Sequence, residues 1–419
     1  RPPRSTLFPY TTLFRSVWSI DCQSSDFLDG TYALSARAVD ATGSVSAAAQ
    51  HTISVAGTSQ ALLGAALITH DAVAGATEAG AGNAAKYAGD YGKYVFFTAY
   101  DVSQYGNSGT SFTDNGKDVG NLLAYDKETG AIALVDHSAT SLTTSNRSTM
   151  SVPPSSAAYK AAFTANGHDY VVCQVNDVTI YGNSGTAFTT TNYTGKNILV
   201  YDTTDKSIQL ASHSEKVGNI ETRANNADFS SVSPDGEYIL FYNSYANRFG
   251  INGAAFTDGS DSGTDLFAYS MSTGNISLVS HTATYDATAG AYLVSGAGSA
   301  TFCTVTADSK YEVFGASDAT QYGDQAKGKV LGSPAPGSFT DGSTSSTDLF
   351  AYEFATGTIN LITHTASSLT AAGASATTYY TGQSADGAYI FFRSTDAEQF
   401  GNSSTRSEEH TSELQSRLH

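Results

Sequence analysis

The sequence predicts an all-β protein built from repeated four-stranded antiparallel sheets, and three observations predict it. An apolar run opened by tyrosine recurs five times, a glycine follows each run at a fixed distance, and a second block with period-two spacing ends in a histidine. Internal repetition at a spacing of about 70 residues fixes architecture before any local reading does, because each unit must fold the same way.

The first anchor is Tyr94 (YVFF), Tyr170 (YVVC), Tyr238 (YILF), Tyr311 (YEVF) and Tyr389 (YIFF), with successive anchors 76, 68, 73 and 78 residues apart. Twelve residues after each stands Gly106, Gly182, Gly250, Gly323 or Gly401, preceded by the aromatic ring of Tyr105, Tyr181, Phe249, Tyr322 or Phe400. The second block reads NLLAYD from Asn121, NILVYD from Asn197, DLFAYS from Asp265 and DLFAYE from Asp348. Beyond its tyrosines (Tyr125, Tyr201, Tyr269, Tyr352) follow Ile132-Leu134-His137, Ile208-Leu210-His213, Ile276-Leu278-His281 and Ile359-Leu361-His364. Alternate apolar positions mean strand. The turn between these two strands is Thr-Gly in three copies, supplying the left-handed residue a tight hairpin wants, and Asp205-Lys206 in the second.

Each unit therefore reads as a meander: a short strand such as Phe229 to Ser233, a turn, the YILF strand, a long loop, the DLFAY strand, a tight turn and the ISLVSH strand. One such sheet cannot bury both of its faces alone. Sheets stacked radially cover one another, which makes a β-propeller of four-stranded blades the expected fold, four complete and one partial in this chain. Leu67 to His70 matches a last strand; either it closes a ring with a later blade, in which case downstream blades are missing, or it completes the blade begun near Thr378 and closes a ring of five.

The motif xDGxYIxF followed by DLFxYxxxTGxIxLVSH resembles the WD40-like repeats of TolB-like β-propellers, with the middle loop lengthened. The resemblance covers Leu67 to Gly401; Pro234-Asp235-Gly236-Glu237-Tyr238 and Ala385-Asp386-Gly387-Ala388-Tyr389 carry it best, whereas Gly167-His168-Asp169-Tyr170 departs from the Asp-Gly turn. Upstream, Leu28 to Val55 alternates as a hairpin, and LDGTYALSARAVDATGSVS resembles the last hairpin of bacterial Ig-like domains.

The expected organisation is an artefactual tail over 1–16, an Ig-like remnant over 17–57, the propeller over 58–405 and a second artefactual tail over 406–419. TLFPYTTLFRS (Thr6 to Ser16) and RSEEHTSELQS (Arg406 to Ser416) both resemble translated sequencing-adapter DNA, so the reading frame is expected to run off both ends of its DNA. Without the tails, 16 basic residues face 36 acidic ones. That acidity repels nucleic-acid phosphates and anionic lipid, and excludes nucleic acid as the expected partner. The longest apolar stretch, Ala61 to Ile68, is too short to span a bilayer, so no membrane insertion is expected in this segment. Three cysteines make no disulfide framework; Cys173 and Cys303 lie in apolar runs and Cys22 lies apart.

Connections in a meander alternate between its two ends. The turn before YILF and the Thr-Gly turn share one face, leaving the long Gly/Ser/Asp-rich segments on the other as the candidate binding face. Asp101, Asp177, Asp318 and Asp396 recur there seven residues after the anchor, with Tyr245 in the third copy; Asp114, Asp258 and Asp341 follow an SFT or AFT tripeptide. Asp258, Asp261 and Asp265 in DGSDSGTD offer alternating oxygens of the kind calcium prefers, without the EF-hand's spacing; Asx turns are the expected role of the recurring aspartates. His70, His137, His213, His281 and His364 occupy one repeat position, lie on different blades and are expected to make a hydrogen bond within each blade rather than to ligate one metal. Recurring tyrosines and phenylalanines are expected to pack between blades.

No G-x-S-x-G, H-E-x-x-H, zinc-spaced cysteine pair or phosphate loop is present. Gly106-Asn107-Ser108-Gly109 places its serine one residue early. The expectation is a non-enzymatic adhesion or binding scaffold at a bacterial cell surface, or otherwise secreted or periplasmic, with a protein or glycan ligand and no cofactor except calcium. The alternative is an extracellular propeller enzyme acting on carbohydrate as a hydrolase or lyase.

Overall fold

The computed structural model describes residues 30–36, 49–55, 68–72, 85–114, 120–145, 158–189, 195–214, 226–251, 254–258, 263–282, 295–297, 299–323, 339–343, 346–373, 377–396, 398–400 and 413–417. The chain divides into two compact units, 1–67 and 68–419. Ile68 packs against the core of the first repeat. In the first unit, β1 (Gly30–Ala36) pairs antiparallel with β2 (Ala49–Val55), Gly30 opposite Val55.

The second unit is all-β and propeller-like. Its first sheet contains β3 (Lys86–Tyr91), β4 (Tyr94–Ala99), β5 (Asn121–Asp126) and β6 (Ile132–Leu134), hydrogen-bonded in chain order. The second contains β7 (Ala158–Ala165), β8 (His168–Val175), β9 (Asn197–Asp202) and β10 (Ile208–Leu210). The third contains β11 (Asp228–Val232), β12 (Tyr238–Asn243), β13 (Asp265–Ser270) and β14 (Ile276–Leu278); the fourth, β15 (Ala300–Val305), β16 (Tyr311–Ala316), β17 (Asp348–Glu353) and β18 (Ile359–Leu361). In the fifth, β19 (Thr378–Gln383) and β20 (Tyr389–Ser394) are joined by β21 (Glu413–Arg417).

That last strand lies in the tail set aside as artefactual. Phe391 pairs with Gln415 and Phe392 with Leu414, so β21 stands where the DLFAY strand stands in the other sheets. An open sheet edge offers unpaired amides and carbonyls to any extended segment within reach, and this edge is filled by the C-terminal one.

Both faces of the repeated sheets are covered, which is why their central strands read as continuous apolar runs rather than alternating ones. Tyr94, Phe96 and Leu122 of sheet one meet Val171, Cys173 and Leu199 of sheet two. Tyr170, Val172 and Val200 on the opposite face of sheet two meet Ile239, Phe241 and Phe267 of sheet three. The pattern continues from Leu240 and Leu266 to Phe314 and Phe350, and from Val313 and Leu349 to Ile390 and Phe392. Each fully buried ring contributes about 1.5–3 kcal/mol over an exposed one. The ring before each repeat glycine folds back onto this layer: Phe249 lies 4.5 Å from Phe267, and Tyr322 lies 4.7 Å from Phe350.

Two features govern how successive sheets meet. First, the register of every first strand slips at the same place, between Tyr87 and Gly89, Tyr159 and Ala161, Phe229 and Ser231, Phe302 and Thr304, and Tyr380 and Gly382. A bulge there bends the strand and increases the sheet's right-handed twist. Second, a Cβ on Gly236, in the turn before β12, would lie 2.5 Å from the Thr164 carbonyl oxygen of sheet two. Only glycine lets the two sheets approach at that turn.

Candidate functional site

The repeated histidines join neighbouring sheets. His137, following β6, places Nε2 2.8 Å from the carbonyl oxygen of Lys206 in the β9–β10 turn of the next sheet, and Nδ1 2.8 Å from the carbonyl of Ser138. His70 reaches Gly130, His213 reaches Gly274 and His281 reaches Gly357, at 2.9, 2.9 and 3.0 Å, always in the following sheet. The same ring stands edge-on to the second-anchor tyrosine of that sheet, with centroids 5.9–6.0 Å apart in the pairs His70–Tyr125, His137–Tyr201, His213–Tyr269 and His281–Tyr352. The bond expected within a blade thus crosses between blades. His364, in the fourth sheet, places Nδ1 3.0 Å from the Thr365 carbonyl.

A carbonyl oxygen faces each nitrogen of His70, His137, His213 and His281. A neutral imidazole donates to one of the two, and an imidazolium donates to both. Burial pushes the His281 imidazole below its ordinary pKa, while its two carbonyl partners pull the other way.

Most recurring aspartates are consumed by local turns. Asp101, Asp177 and Asp318 accept the amides of Ser103, Thr179 and Thr320 at 3.0, 2.9 and 3.0 Å. Asp101 and Asp318 thereby cap the short 3-10 turns over Val102–Gln104 and Ala319–Gln321. Asp396 accepts from the Gln399 side chain at 2.7 Å. Tyr245, which replaces the aspartate in the third copy, stacks under the Arg248 guanidinium at 4.1 Å instead.

Of the proposed calcium ligands, Asp261 and the Asp258 side chain lie outside the described residues, and Asp265 opens β13 only 2% exposed. Among the repeat glycines, Gly106 and Gly182 are indispensable to their loops: a Cβ there would stand 2.0 Å from the carbonyl oxygen of Thr110 or Thr186. Gly250 pairs with Ala255, Gly323 is buried, and Gly401 lies outside the described residues.

The two long connections of a unit do come together. Thr113 bridges Thr144 and Thr340 bridges Ala371, both in parallel, and Thr257–Asp258 pairs in parallel with Ser295–Gly296. The SFT or AFT tripeptide is therefore zipped to the chain that follows the histidine. This zipper holds Leu142 and Leu369, at matching positions, 52% and 72% exposed.

Several groups escaped the sequence reading because their role lies in contacts between units. Asn107 and Asn183 each clasp the outer strand of their own sheet, donating to and accepting from Ile132 and Ile208 at 2.6–2.8 Å. Asp136 and Asp348 are buried, and desolvation raises both carboxyls to about 7, helped by the charges of Asp114 and Asp341 respectively. A cavity of about 250 Å³ opens between the chain after His137 and the loops of the second sheet, lined by hydroxyls of Ser138, Ser141, Ser184 and Ser207 and bordered by Asp205 and Lys206. Among the described residues, no helix is long and apolar enough to cross a membrane.

Neither protein-family profiles nor curated proteins match the chain. Among solved structures, TolB from Acinetobacter baumannii aligns with 74% of this chain at 12% identity and a TM-score of 0.25. The alignment covers 50% of TolB, so the chain spans about half of that protein's length. At that score the description of the fold rests on the strand pairing itself, a propeller-like series of four-stranded antiparallel sheets.

Proposed function

We propose that this chain is part of a secreted or surface-exposed bacterial protein in which an Ig-like spacer precedes a non-enzymatic propeller that presents its long-loop face to a protein or glycan ligand. The observation that carries this reading is the repeated zipper of long connections, which holds Leu142 and Leu369 in solvent on a framework strapped from sheet to sheet. Exposed apolar side chains on rigidly held loops are suited to anchoring a partner.

An enzyme would be expected to gather raised-pKa carboxylates in an accessible pocket. Among the described residues the raised carboxyls, Asp136, Glu312 and Asp348, are 4%, 1% and 1% exposed, buried rather than gathered in an accessible pocket, which favours the scaffold. The acidic surface and the scarcity of lysine agree with an exported protein.

The reading is tested by screening the chain against a glycan array and a panel of purified surface glycoproteins, beside the double variant Leu142→Ser/Leu369→Ser. Saturable binding weakened at least tenfold in the variant, with its melting temperature unchanged, is the expected result. Equal binding by both proteins would remove the long-loop face from the proposal, and turnover of a screened glycan would replace the scaffold with the enzyme.

A further inference from the structure

The second sheet departs from the repeat at two positions. Two residues before the first anchor, where Gly92, Gly236 and Gly387 stand in other copies, it has His168; where three copies have Thr-Gly in the outer turn, it has Asp205-Lys206. Thirty-seven residues of sequence separate His168 from Asp205. The fold brings them to one place, on either side of Asp202.

Asp202, the last residue of β9, is 4% exposed. Its Oδ1 accepts the amides of Thr204 and Asp205 at 2.7 and 3.1 Å, which fixes the carboxylate and leaves Oδ2 turned to His168 Nδ1, 2.6 Å away. Asp205 brings a second carboxylate, and the three ligand atoms all lie within 4.8 Å of one another. The turn is held from behind, where Thr203 donates its amide and its hydroxyl to the Asp169 carbonyl at 2.9 and 2.8 Å. Lys206, in the same turn, donates its ammonium to the Thr203 carbonyl.

The corresponding place in sheet one shows what an ordinary filling looks like: Lys93 lies 3.2 Å from Asp126 and 3.5 Å from Glu128, so a lysine neutralises the acids. In sheet two Asp169 stands at that lysine's repeat position, and the adjacent His168 imidazole lies beside the buried acid in the ammonium's place. The imidazole and two carboxylates make a nitrogen-bearing, acid-rich cluster, open to solvent through His168 and Asp205.

We propose that His168, Asp202 and Asp205 bind a divalent transition-metal ion of the zinc type through one imidazole nitrogen and two carboxylate oxygens. Imidazole nitrogen selects zinc and its neighbours over calcium or magnesium, which require more oxygens. Metal–ligand bonds of about 2.0–2.2 Å in a tetrahedron set ligand atoms roughly 3.4 Å apart, so binding requires the half-exposed His168 to move outward from its 2.6 Å contact with Asp202 and the exposed Asp205 side chain to adjust to that spacing. Three protein ligands leave a fourth position for water or an external donor. Asp205 also borders the hydroxyl-lined cavity, so the ion stands at its edge.

The test uses the full chain, stripped with chelator and desalted, and titrated with zinc chloride by calorimetry and with cobalt(II) by visible absorption. One equivalent of zinc with micromolar or tighter affinity is expected, together with cobalt bands whose intensity marks a nitrogen–oxygen site of low coordination number. His168→Asn and Asp205→Asn, both at solvent-accessible positions and both leaving Asp202 in its turn, should each weaken zinc binding at least tenfold while melting like the parent in chelator. His410 and His419 remain in both variants. Zinc binding that survives both substitutions, or none in the parent chain, would overturn the proposal.

Discussion

His137 stands edge-on to Tyr201 of the following sheet, ring centroids 5.9 Å apart, while its Nε2 meets the carbonyl of Lys206 five residues further on. The last residue of one repeat thus closes on the outer hairpin of the next. Its equivalents at His70, His213 and His281 make the same pair of contacts, so each junction between the first four sheets carries one strap. Stability of the repeat array accordingly depends on these junctions as well as on the sheets themselves.

Replacing His213 with alanine removes a hydrogen bond across the junction, an edge-on ring contact and a ring that is 1% exposed. The expected cost is about 2–3 kcal/mol, read from the urea midpoint at unchanged slope. A loss below about 0.5 kcal/mol would show that the apolar layers alone hold the sheets together.

Asp348 supplies a pH dependence of definite sign. Its carboxyl is raised to about 7 in the folded protein by burial, from an ordinary value of 3.8, so the folded state holds a proton that the unfolded state has released. That contribution is complete below about pH 4 and is lost as pH rises through 7. Asp348→Asn keeps an acceptor for the Thr363 hydroxyl, which lies 3.0 Å from the native carboxylate. It should raise stability at pH 8 by on the order of 2 kcal/mol and leave pH 4 stability nearly unchanged, as followed by denaturant unfolding at both pH values. A variant less stable than the parent at pH 8 would contradict the raised carboxyl.

Gly182→Ala directs a methyl group at the Thr186 carbonyl oxygen, 2.0 Å from where its Cβ would stand. The loop must open, and a loss of about 2–3 kcal/mol is expected, with faster proteolysis between Val178 and Phe188 as a second readout.

Calcium removal should leave the melting temperature unchanged. Asp101, Asp177 and Asp318 already serve as acceptors for loop amides, and Asp265 is buried at a strand end. Thermal unfolding of chelator-stripped protein with and without millimolar calcium checks this. A rise specific to calcium and absent with magnesium would restore Asp258, Asp261 and Asp265 as an ion site.

The strands of the second unit were legible because their determinants are local. Tyr-opened apolar runs, alternation in Ile132-Ala133-Leu134 and its equivalents, and left-handed glycines at 130, 274 and 357 act within a few residues of one another. Asp101, Asp177 and Asp318 were legible as turn formers for the same reason, since an Asx contact spans two residues. The zinc-type cluster was half visible: the sequence displayed His168 and Asp205-Lys206 as two departures from the pattern, and nothing in one dimension joined them.

What the sequence by itself determined is the repeat, its four-stranded meander and the identity of the packing residues, because hydrogen-bond pairing between neighbouring strands follows from periodicity and turn chemistry. Only the tertiary structure decided which partner each histidine takes, how deeply Asp136 and Asp348 are buried, and that Glu413–Arg417 fills the edge of β20. These depend on which surfaces of neighbouring strands and sheets meet. Such contacts arise between units, where a repeated pattern specifies that neighbours touch but not where.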